Sequence, residues 1–161
     1  MKRRSLLAFA AFAAPFAATP VVAQDSGRAL VEAFYARLLN GAGAADLAER
    51  AAAILAEDWR SVGDYSGRDK TRAEFVGQLG GFARLIPDLK WQIAEMLPTG
   101  DRWVVRGRAT GTPTAPFFGV PPSGKSFDIM SIDIHTLAGG RIVRSYHVED
   151  WAAALRQLRT A

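Results

Sequence analysis

Cysteine is absent from the 161 residues, and histidine occurs only as His135 and His147. Without thiols there is no disulfide framework, thiolate zinc site, iron–sulfur cluster or cysteine nucleophile. Two imidazoles are too few for a three-histidine catalytic zinc, so no metal site is expected. Long apolar runs are scarce as well. The one extended run, Leu6 to Val22, is broken by Pro15 and Pro20 and is marginal for a membrane span. It follows the basic start Lys2-Arg3-Arg4 and ends at Val21-Val22-Ala23, small or modest residues before Gln24. Charged head, apolar middle and small-residue exit form a secretory signal peptide. Residues 1–23 are expected to be a cleavable leader, cut after Ala23, with residues 24–161 working in the periplasm or outside the cell. A retained anchor is the alternative.

The leader also distorts the charge. The whole chain carries a formal net charge of +4, and cleavage removes three basic residues and no acid, leaving +1. A nearly neutral domain without a basic stripe lacks the phosphate contacts that nucleic-acid binding depends on. No nucleic-acid partner is expected.

What remains is strongly patterned. Leu30, Val31, Phe34, Tyr35 and Leu38 recur at helical spacing, and Asn40-Gly41 supplies a stop. Leu47, Ala51, Ile54 and Leu55 mark a second short helix. Asp58 to Tyr65 reads as extended, and Phe75, Leu79 and Phe82 lie on a third helix that Pro87 ends. The period then changes to two. Strands are predicted over 89–97, 102–112, 126–137 and 141–149, with turns at Pro98–Asp101 and Ala138–Gly140 and a last helix from Trp151. Helices followed by an antiparallel meander argue for one α+β domain. A strongly twisted sheet wrapped over the N-terminal helices leaves a cone with an open mouth.

Gly119-Val120-Pro121-Pro122-Ser123-Gly124-Lys125-Ser126 fits the phosphate-loop pattern by letters alone. Two prolines remove backbone N–H donors that a phosphate cradle uses, and a strand pattern follows where a helix is required. No nucleotide is expected there.

Ser131, Asp133 and His135 share one face of their strand, as do Ile142, Arg144, Tyr146, Val148 and Asp150 of the next, provided no bulge intervenes. An imidazole, a phenol and a carboxylate at the mouth of an apolar cone can handle a proton. Desolvation raises such a carboxyl toward the range useful for acid–base work. Each residue has a second reading. Asp150 precedes a helix and can cap it. His135 can be a strand histidine near a turn. Arg106 and Arg108 can mark a solvated sheet face, and Trp59 and Tyr35 can be core.

The stretch from Phe34 to Leu158 resembles the SnoaL-like polyketide cyclases, also called ester cyclases, of the nuclear transport factor 2-like superfamily. Ile86-Pro87-Asp88-Leu89 looks like that family's Phe-Pro-Asp-Leu approach to the sheet. Gly100-Asp101-Arg102-Trp103-Val104-Val105-Arg106 looks like its Gly-Asp-Arg-Val strand start. Gly111-Thr112 and Phe118–Lys125 are similar to its Gly-Thr-His and Phe-x-Gly-x-Pro-Pro-Thr-Gly-Lys connection. Gly140-Arg141-Ile142-Val143, Tyr146 and Asp150 resemble its Gly-Lys-Ile-Val…Trp…Asp ending, followed by Leu155-Arg156-Gln157-Leu158. The resemblance implies an intramolecular aldol cyclisation without cofactor or metal, with Asp150 as the acid–base group and His135 assisting. Tyr35, Trp59, Arg106 and Tyr146 would bind substrate, and the domain would pair as a homodimer through its sheet. Pro113 stands where the family has His, and Tyr146 where it has Trp, so the lining differs. An exported member fits a small apolar carbonyl compound better than a polyketide assembled in the cytoplasm. The alternative is a periplasmic protein that binds such a compound without turning it over.

Overall fold

The computed structural model describes residues 21–159. Of the expected leader, residues 1–20 lie outside the described residues, and 21–23 open the first helix. Helix α1 (Val21–Ala33) runs directly into a π-helical turn, Phe34–Leu39, which buries Phe34, Tyr35, Leu38 and Leu39 together. Asn40 closes it, its backbone N–H bonding Tyr35 O at 2.9 Å. The Asn40 side chain then takes a second role. Its Nδ2 donates to Trp91 O (2.9 Å) and its Oδ1 accepts from Trp91 N (2.8 Å), so an amide continues the hydrogen-bond ladder at a sheet edge.

Helix α2 (Leu47–Ile54) leads straight into β1 (Leu55–Val62). A short β2 (Lys70–Thr71) precedes α3 (Arg72–Leu85). Thr71 and Glu74 start α3 with a capping box, each satisfying the other's backbone N–H. Then come β3 (Lys90–Thr99), β4 (Arg102–Gly111), β5 (Phe127–Ala138), β6 (Arg141–Glu149) and α4 (Trp151–Arg159). The helices and the four meander strands stand in the predicted order. The extended piece expected over 58–65 begins earlier, at Leu55, which the helical spacing places in the second helix, and β2 is an addition to the predicted elements.

The strands form one curved, unclosed sheet in the order β2-β1-β6-β5-β4-β3. The meander β3–β6 is antiparallel throughout, whereas β1 joins β6 in parallel. Helices fill the hollow face. Val31, Phe34 and Leu38 from the first helix meet Trp103, Val105, Ala109 and Ile129 from the sheet in one apolar core. Full burial of a side chain such as Leu38 contributes roughly 1.5–3 kcal/mol. Gly27 lets α1 approach β4, because a Cβ there would fall 2.7 Å from the Trp103 indole nitrogen. At the other side Gln157 of α4 exchanges two hydrogen bonds with the Asp128 backbone, 2.6 and 2.9 Å. No helix among the described residues is long and apolar enough to cross a membrane.

One irregularity decides what faces inward. Thr136 pairs with Arg144, but Leu137 pairs with Ile142, so Val143 is an extra residue on β6. A bulge of this kind reverses the side-chain parity beyond it. Ile142 is buried before it; afterwards Ser145, His147 and Glu149 turn inward while Arg144, Tyr146 and Val148 turn out.

Candidate active site

Strand β5 carries Ser131, Asp133 and His135 on its hollow face, all at most 1% exposed. The Asp133 carboxylate is the hub. Tyr35, held on the π-turn, donates its hydroxyl to Oδ2 at 2.5 Å. His147 Nδ1 hydrogen-bonds Oδ1, and His147 Nε2 pairs with Glu149 Oε1. Tyr35, Asp133, His147 and Glu149 therefore form one line running from the core to the mouth.

The electrostatics follow from that line. Burial works against a charged Asp133, but the His147 charge and hydrogen bond, His135 and the Tyr35 hydroxyl outweigh it and hold the carboxyl below its ordinary range. Burial would likewise lower His147, yet Asp133 and Glu149 push it up to about 10. It is an imidazolium at neutral pH. His135 goes the other way: burial takes it down to about 4, despite the pull of Asp133. Tyr35 is raised by burial and by the Asp133 charge, so it stays a neutral donor.

This line opens on a cavity of about 120 Å³. Its walls are mostly aromatic, from Phe75 and Phe82 of α3, Trp91 of β3, Phe118 and Trp151. Its polar groups are Ser61, Lys70, Gln78, His147 and Glu149. Glu149 is the carboxylate that reaches this space, and Asp133 stands behind it.

The predicted residues are distributed differently from expectation. Asp150 is exposed, and its Oδ1 accepts from Ala153 N at 2.8 Å as the N-cap of α4. The capping reading describes it, and the parity change at Val143 is why Glu149 lies inside in its place. Tyr146, 36% exposed, also falls on the outer face, over a shallow groove with Val62 and Tyr65. Arg106 is on the solvated side of the sheet, paired with Glu95 at 3.2 Å, away from the cavity. His135 is within the cone but sealed. Its Nδ1 meets Ser145 Oγ at 2.8 Å, its Nε2 has no partner, and the ring lies against Phe34. Trp59 is fully buried, bonding Ser145 Oγ at 3.1 Å and packing on the cavity wall residue Phe75. Tyr35 and Trp59 thus support the site from behind and do not line it. His147 and Glu149, which line the cavity, are not among the residues the sequence reading selects; a parity count allowing for a bulge places both inward. Among the described residues no cluster of three or more His, Cys, Asp or Glu is arranged to hold a metal ion. The segment from Gly119 to Ser126 is a loop leading into β5, with no helix at its end.

Comparison with solved structures returns the same architecture. TsrD from Streptomyces laurentii is 22% identical with a TM-score of 0.71, covering 86% of this chain and 98% of its own. IdmH from Streptomyces antibioticus is 26% identical with a TM-score of 0.71, covering 83% and 98%. A SnoaL-like polyketide cyclase from Agrobacterium tumefaciens is 19% identical with a TM-score of 0.64, covering 80% and 97%. No curated protein matches the sequence. The sequence pattern of the family described as SnoaL-like polyketide cyclase matches residues 29–158, nearly all of the folded part. The chain belongs to the SnoaL-like polyketide cyclase family, whose cone of helices and curved sheet it shares.

Proposed function

We propose that the protein is a cofactor-independent cyclase-like enzyme that moves a proton on a small apolar carbonyl compound, with Glu149 as the acid–base group. Family membership supports the cyclase-like chemistry. The observation that carries the assignment of Glu149 is its position: a carboxylate on an aromatic cavity, oriented by a charged His147 that is itself anchored on buried Asp133.

The residues suffice for a balanced cycle. Glu149 takes the proton from carbon beside a carbonyl, and the C–H electron pair becomes the enolate. Lys70, which also lines the cavity, supplies positive charge toward the enolate oxygen. The enolate carbon attacks a second carbonyl of the same molecule, closing a carbon–carbon bond. Glu149 then returns its proton to the new alkoxide. Such a positioned acid–base group contributes about 10²–10⁴ in rate. His147 keeps the carboxylate aimed, and Asp133 with Tyr35 keeps His147 aimed.

Glu149→Gln is the test. Loss of turnover with retained ligand binding and an unchanged fold supports the assignment; undiminished turnover overturns it. Tight binding without turnover in the wild type favours the non-catalytic carrier. The leader carries a further proposal, that the domain works outside the cytoplasm, and N-terminal sequencing of the exported protein should find Gln24 first. The outward-facing Met130, Ile132 and Val148, which are 54%, 40% and 62% exposed on adjoining strands, support pairing of two copies through the sheet.

A further inference from the structure

We propose that the cavity selects a single-ring carbonyl compound and that Phe118 sets this size limit, an inference resting on the reading that this cavity is the substrate site. The volume carries the first part. A space of about 120 Å³, open at its mouth, is of the size that holds one small ring, since a cavity of ~150 Å³ binds benzene, and is far below the ~300–1,000 Å³ of pockets for drug-sized ligands. Three fused rings exceed that volume. The walls favour flat apolar faces, since Phe75, Phe82, Trp91 and Trp151 offer ring surfaces for stacking.

Phe118 is the wall that is least tied down. Phe117 and Val120 exchange two 2.9 Å backbone hydrogen bonds, so Phe118 and Gly119 form the two central positions of a tight hairpin turn. Both have positive φ, 45° and 79°, the pattern that favours Asn-Gly or Gly-Gly. A phenylalanine in that conformation is strained, because its Cβ crowds the following carbonyl oxygen. The residue is 60% exposed, yet its ring reaches the cavity, with its centroid 4.6 Å from that of Phe117 and 6.2 Å from that of Trp151. The other aromatic walls are held by helices or sheet; this one is held by the tip of a turn. Removing it opens the cavity and leaves the Asp133–His147–Glu149 line in place.

The experiment is calorimetric titration with three ketones of increasing size: cyclohexanone with one ring, 1-tetralone with two and anthrone with three. The proteins are the wild type, Phe118→Gly and Gln78→Trp. Glycine suits the positive φ, so the first variant relieves the turn as it removes the ring. Gln78 is an exposed residue on the cavity rim, and tryptophan there plugs the mouth. Wild type should bind the one-ring ketone and discriminate against anthrone, and Phe118→Gly should gain about tenfold or more for 1-tetralone. Gln78→Trp should abolish one-ring binding. If anthrone binds wild type as well as the one-ring ketone does and the plug blocks both, or if Phe118→Gly gains nothing, the size inference falls and the site stands. If one-ring binding survives the plug, the cavity is not the binding site, and both readings fall. No heat with any ketone also overturns the inference.

Discussion

Moving the pH away from neutrality in either direction is expected to weaken the fold, because the two histidines are shifted in opposite senses. His135 titrates at about 4 in the folded chain and near 6.5 when unfolded. Between those values the unfolded chain binds a proton that the native one refuses, so stability falls as pH falls, by about 1.4 kcal/mol per pH unit. The whole interval amounts to about 3 kcal/mol. His147 titrates at about 10 when folded, held there by Asp133 and Glu149 against its burial. Its contribution is fully present below pH 6.5 and is lost as pH rises through 10, on the order of 5 kcal/mol. Tyr35, raised by burial and by Asp133, adds to the alkaline loss. Either loss is a large fraction of the 5–15 kcal/mol typical of a domain. Urea unfolding at half-unit pH steps should therefore give a maximum near pH 6.5, with a steeper total fall on the alkaline side. Below about pH 4 the protonation of Asp133 joins in. His135→Gln, which keeps a hydrogen-bonding partner for Ser145, should flatten the limb between pH 4 and 6.5 and leave the other intact. Replacing the charged pair together, Asp133→Asn with His147→Gln, should flatten the alkaline limb without stranding a lone buried charge. Stability constant from pH 5 to 9, or an acid limb that survives His135→Gln, would refute the reasoning.

Other expectations concern the site and its surroundings. Glu149→Gln should cost about 10²–10⁴ in kcat, whereas Asp150→Ala should lower stability by about 1 kcal/mol through the lost cap and leave kcat alone; kinetics and thermal melts on the two variants separate them. Asp133→Asn should move the alkaline limb of the kcat–pH profile from about 10 toward neutrality, since it removes the strongest support of the His147 charge; an unmoved limb would count against the coupling. Val148→Lys, on the exposed outer face of β6, should shift sedimentation toward a monomer while circular dichroism stays native.

Much of the architecture could be read from periodicity and punctuation. Phe75, Leu79 and Phe82 marked α3, the Pro98–Asp101 turn separated β3 from β4, and Gly139-Gly140 closed the β5–β6 hairpin. Each is a local rule that the fold does not override. The inward set on β5 was legible for the same reason, since Ser131, Asp133 and His135 lie on an uninterrupted stretch. The parallel pairing of β1 with β6 was not legible, because it joins residues about eighty-five positions apart and leaves no local signature. Nor was the anchoring role of Tyr35, whose partner lies 98 residues away.

The failure at the site has a single physical origin. Period-two counting places Tyr146 and Asp150 inward only if β6 is regular from Ile142 onward. Val143 is inserted opposite no partner, and every later side chain changes face. Hydrophobic patterning points away from the bulge. With regular pleating, Ser145, His147 and Glu149 would face solvent while Tyr146 and Val148 were buried, a pattern that hydrophobicity alone prefers. With the bulge, polar groups are buried and apolar ones exposed, which burial free energy opposes. That arrangement is tolerable only because the buried groups satisfy one another: Ser145 with Trp59 and His135, His147 with Asp133 and Glu149. The outward Tyr146 and Val148 are the cost on the other face, and a second copy of the chain covering them would offset it. The bulge thus couples the two surfaces of β6. It follows that deleting Val143 should turn Glu149 and His147 out of the cone, abolish the alkaline limb of stability and end turnover, with the strand order unchanged. A deletion variant that kept its activity would show that the charge line is set by something other than strand register.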